Sequence, residues 1–315
     1  EEKQRLTKRY TENTEAYEYY VKGRYYWNRR TPKALQDAIE HFQRAIEKDP
    51  HYSLAYAGLA DCYNVLPEYA SVPPKEALEK ARVAAEKALA LDETLAEAHA
   101  SLAYLRRQLD WDWEGAEREY RRAIQLNPGY ATAHHWYGLH LVSMGRLDEG
   151  IAELQRARES DLLSLATNLA ILWGFYCARR YDEALQQCRK ILEIEPNFFP
   201  AQRYIGLAYS QKGQHQLAIT EFQKALKLQP EDTFALALLG YLHARTGQKD
   251  RALEVLHTLK ERSQRRYVSP FDIAVVAIGL GDNDQALAWL EKARQDRVEF
   301  LIWAKVEPLL DPLRS

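Results

Sequence analysis

Three histidines within seven residues are the first feature of the chain that could do chemistry, since HHWYGLH brings His134, His135 and His140 close together. A metal site on a single helix needs imidazoles one turn apart, at i and i+4, so that both leave the same face. His134 and His135 are adjacent and His140 lies five residues beyond His135, so no such pair forms. Carboxylates are plentiful but interleaved with arginine, as in EGAEREYRRA at 114–123. That spacing makes i, i+4 ion pairs on a solvated face, not a paired acid and base. WDW at 111–113 resembles a ligand clamp, although tryptophans so placed also pack at turns. The cysteines, Cys62, Cys177 and Cys188, are odd in number and lack a CxxC spacing. They fit small buried hydrophobes in a reducing, cytoplasmic setting, with Cys177 nearest a groove. No glycine-rich phosphate loop, GxSxG, HExxH or EF-hand loop occurs. The expectation is therefore a chain with no catalysis of its own, no metal and no cofactor; any enzyme activity would lie in an upstream domain.

The elements that would position these residues are helices. Hydrophobic residues make up 46% and charged residues 28% of the 315, while Gly (14) and Pro (12) are few, a composition that folds and favours helix. A formal charge of −2 offers no general attraction to phosphate backbones, so no nucleic acid is expected through this region. The most apolar stretch, LATNLAILWGFYCA at 165–178, is too short and too polar to span a bilayer. The chain begins at Glu1 without methionine, which suggests a region cut from a longer protein.

One phrase recurs along the chain. LAITEFQKALKLQP at 217–230 reappears as DAIEHFQRAIEKDP at 37–50, GAEREYRRAIQLNP at 115–128 and EALQQCRKILEIEP at 183–196. Pro196 and Pro230 are 34 residues apart, Pro128 and Pro196 are 68 apart, and Pro50 lies 78 before Pro128, two periods plus an insertion. A 34-residue period carrying W-x2-L-G-x2-Y, then A-x3-F, then P resembles the tetratricopeptide repeat, a helix-turn-helix unit. The clearest copy has Ile205, Gly206 and Tyr209, then Ala218, Phe222, Ala225 and Pro230.

The resemblance implies an all-α fold, a right-handed α-solenoid superhelix of about eight repeats at 16–52, 53–95, 96–130, 131–164, 165–198, 199–232, 233–266 and 267–300. It covers about nine-tenths of the chain. Small residues at the eighth position (Gly23, Gly138, Gly206, Gly240) and the twentieth (Ala38, Ala184, Ala218) let the two helices of a repeat approach, and Phe42, Tyr120 and Phe222 fill the space toward the next repeat. The prolines end each second helix. The insertions around WNRRTPK and LPEYASVPPKEA are expected to project as loops. Residues 1–15 form a charged linker or helix, and 301–315, within the apolar run EFLIWAKVEPLLDPLRS, a C-terminal cap over repeat eight.

In such arrays the first helix of each repeat lines a concave groove where ligands bind. Projected onto that surface, the sequence supplies Tyr104, His135, Leu139, Trp173, Tyr176, Arg203, Leu207, Phe234, Tyr241 and Arg245. An apolar, aromatic groove with a few cations suits an amphipathic helix or extended peptide of a partner protein. The lysine and asparagine clamp of chaperone-binding members is not present in any three consecutive repeats; repeat one offers Tyr20 and Arg24 instead. The longer phrases at 16–63 and 305–315 resemble the C-terminal repeat regions of bacterial multidomain signalling proteins, in which a kinase, cyclase or winged-helix domain precedes the repeats. The implied function is a regulatory protein-interaction module, with a stand-alone scaffold as the alternative and a glycosyltransferase's substrate-presenting repeats as a lesser one.

Overall fold

The computed structural model describes residues 10–70 and 72–314; the stretch 1–9 of the charged leader lies outside the described residues. Within them the chain is all helical, with sixteen α-helices and no strand. It divides into two compact units, 1–136 and 137–315. In the first, α1 (Thr14–Asn28) pairs with α2 (Pro32–Lys48), α3 (Ser53–Ala70) with α4 (Pro74–Leu91), and α5 (Ala96–Leu105) with α6 (Trp113–Leu126). The division falls within α7 (Ala131–Ser143), which is followed by α8 (Leu147–Glu159). The second unit continues with α9 (Leu165–Cys177) and α10 (Tyr181–Ile194), α11 (Phe199–Gln211) and α12 (His215–Leu228), α13 (Thr233–Arg245) and α14 (Lys249–Ser263), and α15 (Pro270–Leu280) and α16 (Asn283–Gln295). Two short 310 turns, Glu299–Trp303 and Pro308–Leu313, complete it.

The helix ends follow from local chemistry. Asn13, Thr31, Asp112, Ser164, Asp232, Ser269 and Asp282 each accept a backbone N–H of the first turn that would otherwise have no partner. Pro50, Pro128, Pro196 and Pro230 each stand two residues past the last residue of α2, α6, α10 and α12, where a ring that cannot continue the helix fixes its stop. The insertion in repeat two behaves differently from a projecting loop. It lengthens α3, which runs through Pro67 to Ala70 before α4 begins at Pro74.

Close approach explains the small residues. A methyl group on Gly206 would sit 2.5 Å from the Phe222 ring, so the glycine makes room for its own repeat's large side chain. At Gly138 the same atom would meet the Gly150 carbonyl oxygen at 2.8 Å, a backbone-to-backbone crossing. Phe42 serves two repeats, lying against Gly23 of its own hairpin and Gly58 of the next. Ala38, Ala184 and Ala218 are buried, as are Phe42, Tyr120 and Phe222.

A polar network ties the first helices of the first unit together. Arg24 on α1 pairs with the buried Asp61 of α3 at 2.8 Å, the Ser101 hydroxyl of α5 donates to the other Asp61 oxygen, and the Tyr130 hydroxyl lies 3.5 Å away. Burial pushes the Asp61 carboxyl above its ordinary value, opposed by Arg24 and the Ser101 hydroxyl. Arg24 is thus committed to the fold. All three thiols are buried and burial raises each. We predict that a disulfide exchange reagent labels none of them in the native chain and all three in denaturant; a native thiol titrating at once would contradict this packing.

Candidate functional site

The site takes shape in the second unit, on the first helices of its hairpins. Trp173 and Tyr176 leave α9 three residues apart and stack with ring centroids 5.3 Å apart. Phe234, in the first turn of α13, lies 6.1 Å from Phe271 of α15. These rings form an apolar wall, and the chain itself fills the space beside it. After α16, Arg297 adopts a left-handed conformation (φ 55°) that turns the chain back. Phe300 then stacks on Phe271 at 4.8 Å, with ring planes 8° apart, and contacts Phe234 at 4.7 Å. Trp303 stands edge-on to Trp173 at 5.4 Å. Each aromatic pair contributes roughly 0.5–1.5 kcal/mol beyond the area it buries. Ile302, Trp303, Val306, Leu309 and Leu310 are all buried.

Polar contacts fix the rest of the segment. The Tyr176 hydroxyl donates to Glu307 Oε1 at 3.2 Å, and the Leu309 amide donates to the same oxygen at 2.9 Å. Burial pushes the Glu307 carboxyl up to about 7, more than these hydrogen bonds and the nearby Arg179 lower it. Arg179 donates from Nη1 to the Val306 carbonyl at 2.9 Å and from Nη2 to both oxygens of Asp311. Lys305 Nζ reaches the Met144 carbonyl at 2.8 Å. On the neighbouring pair of helices the Thr233 hydroxyl donates to the buried Asp272, whose carboxyl burial raises to about 7.

This arrangement changes the reading of the predicted groove. Trp173, Tyr176 and Phe234 are covered by the segment 299–314, and Leu207 and Tyr241 are buried as well. Tyr104 is buried too, its ring 5.0 Å from Trp136 with the Arg107 guanidinium over it. These six are packed side chains because burying large apolar side chains between adjacent helices removes their surface from water. Arg203 pairs with Asp232 at 2.9 Å and lies over Phe234, so it is a braced cation. Leu139 keeps intermediate exposure and Arg245 is exposed. His135 also keeps some exposure, while burial of its ring, with Arg30 and Arg107 near, pulls the imidazole down to about 3. It is neutral at physiological pH. His134 Nε2 lies 2.9 Å from the Pro128 carbonyl, a structural bond. The segment expected only to cap repeat eight reaches back to α9 and to the turn at Met144.

Phe300, Trp303, Glu307 and Arg179 are the site residues that position-by-position reasoning missed. One signal was available for Arg179. At this turn other repeats carry Gly145, Gly213, Gly247 and Gly281 with positive φ, whereas Arg179 holds φ 57° with a full side chain, as do Arg30 and Trp111 at φ 51° and 58°. A non-glycine residue there costs roughly 1–2 kcal/mol, and at Arg179 the contacts with Val306 and Asp311 offset it.

The comparisons agree with this architecture. One tetratricopeptide repeat profile matches residues 180–305 and a second matches 20–71 and 112–162. The chain belongs to the tetratricopeptide repeat family. Over 301 residues it is 25% identical to the Transcriptional regulator HilA of Salmonella typhimurium, covering 94% of this chain and 53% of that protein. The chain thus spans about half the length of the curated relatives it matches first. Among solved structures, PilW, a type IV pilus biogenesis factor, aligns with a TM-score of 0.55 at 20% identity, covering 71% of this chain and 97% of its own. A human IFIT1 dimer with PPP-AAAA aligns at 0.59 and 17% identity, covering 84% and 69%. Likeness at these identities shows the fold. Repeats of this kind mark a protein–protein interaction module. Among the described residues no helix is long and apolar enough to cross a membrane.

Proposed function

We propose that the chain is the interaction and regulatory region of a larger bacterial signalling protein, of the transcriptional-regulator class, and that its concave surface takes a peptide or helix of a partner protein. The observation that carries the binding half is the groove of the second unit, which already holds an apolar segment against Trp173, Phe234 and Phe271. A surface that accommodates one such segment has the rings, the depth and the hydrogen-bonding groups to recognise another. The regulatory half rests on similarity to HilA over 94% of this chain with nearly half of that protein left over.

The intact mass of the native polypeptide in its source cells tests the regulatory half. A mass well above 36.5 kDa is expected, with an output domain in the remainder. A mass near that value would remove the regulatory reading and leave a stand-alone scaffold.

A further inference from the structure

The segment 299–314 fills the groove without being woven into it. Its backbone hydrogen bonds are local, from Leu301 to Val298, Ala304 to Leu301, Val306 and Glu307 to Trp303, and Leu310 to Glu307. The hydrogen bonds that Arg179, Lys305 and Tyr176 make between the segment and the earlier hairpins all involve a side chain. Lifting the segment away therefore breaks no backbone ladder. Glu307 Oε2 and Trp173 Nε1 are both buried with no hydrogen-bond partner. The ion pair between Arg179 and Asp311 is half exposed, with side chains at 40% and 47%, and holds the segment only lightly.

We infer, building on the proposed interaction function, that the segment 299–314 is a tethered self-ligand. The groove of the second unit takes from a partner protein a segment of the same chemistry: two aromatic side chains three residues apart, followed by a pair of adjacent leucine-like side chains. Phe300 and Trp303 define the aromatic spacing, and Leu309 and Leu310 the apolar pair. Tethering gives the resident segment a high effective concentration, so an equal competitor loses to it. A partner prevails by fitting better. The place to do so is the Glu307 position, where an amide would accept from Tyr176 and Leu309 as the carboxyl does and would spare a buried ionisable group.

The test uses a fluorescein-labelled synthetic peptide of residues 298–314 and reads anisotropy. A chain carrying Phe300→Ala and Trp303→Ala is expected to bind it at least ten times more tightly than the wild type. A peptide with both aromatics replaced by alanine should not bind. Failure of the variant to bind more tightly, with its helicity intact, overturns the inference. Should the double variant lose its helicity, hydrogen exchange on the wild-type chain decides. The amides of Leu301, Val306 and Leu310 are expected to exchange at least ten times faster than those of α9, and faster still in Arg179→Gly, where glycine suits the left-handed turn. Exchange of these amides only with global unfolding makes the segment a fixed part of the fold. That outcome leaves the interaction function standing on the chain's exposed concave residues.

Discussion

Replacing Gly138 by alanine is expected to destabilise the second unit by roughly 3 kcal/mol, about twice the effect of the same change at Gly206. Both glycines occupy the same position of their repeats, so a sequence pattern treats them alike. The structure does not. The new methyl at Gly206 meets the Phe222 ring at 2.5 Å, and a ring can tilt or shift within its pocket. At Gly138 it meets the Gly150 carbonyl oxygen at 2.8 Å as well as the Leu154 side chain, and a backbone carbonyl moves only if two helices separate. Separating them opens gaps along the whole crossing. Urea midpoints of the two variants check the order; equal midpoints would mean that the close crossing of α7 and α8 does not constrain the fold.

The second large effect concerns pH. Glu307 has its carboxyl raised to about 7 by burial, above the ordinary 4.5. A group whose folded pKa is raised stabilises the fold fully below its unfolded pKa and loses that contribution as pH rises through the folded value. Between pH 5 and pH 8 the loss amounts to roughly 2–3 kcal/mol, since each pKa unit corresponds to about 1.4 kcal/mol. Buried Asp272 acts in the same direction, raised from 3.8 to about 7. The lowered His243 acts in the opposite direction, so the comparison is made between wild type and Glu307→Gln. The variant is expected to equal or fall below the wild type at pH 5 and to exceed it at pH 8. A difference that does not change with pH would contradict the buried position of Glu307.

Much of this architecture was legible in the sequence because the repeat is a local grammar. Proline, small residue and aromatic recur at fixed offsets, and each has a packing role that depends on its own hairpin and the next. What depends on distant pairing was harder to read. The segment after α16 is visibly apolar, but nothing in EFLIWAKVEPLLDPLRS says whether it covers the last hairpin or turns back to α9. Its partners Trp173 and Tyr176 lie more than a hundred residues earlier, and Tyr176 and Glu307 are 131 apart. The same limit explains Tyr104 and Leu207, which sit at groove positions yet are buried by neighbours that the repeat pattern does not specify. The insertion around LPEYASVPPKEA shows a different limit. The stretch is expected from its sequence to project as a loop, yet the helix passes through Pro67 to Ala70 because tertiary context overrides local propensity.

Site-specific photocrosslinking in the source cells asks whether the first-helix face of the second unit is where this chain meets a partner protein. A benzophenone side chain is placed singly at Leu139 or Arg245 on first helices of the second unit, and at Lys190 or Lys224, which are exposed on its second helices. One protein adduct of common mass is expected from Leu139 and Arg245, and none from Lys190 or Lys224. Adducts from the second-helix positions alone would contradict it and move the binding surface to the opposite face.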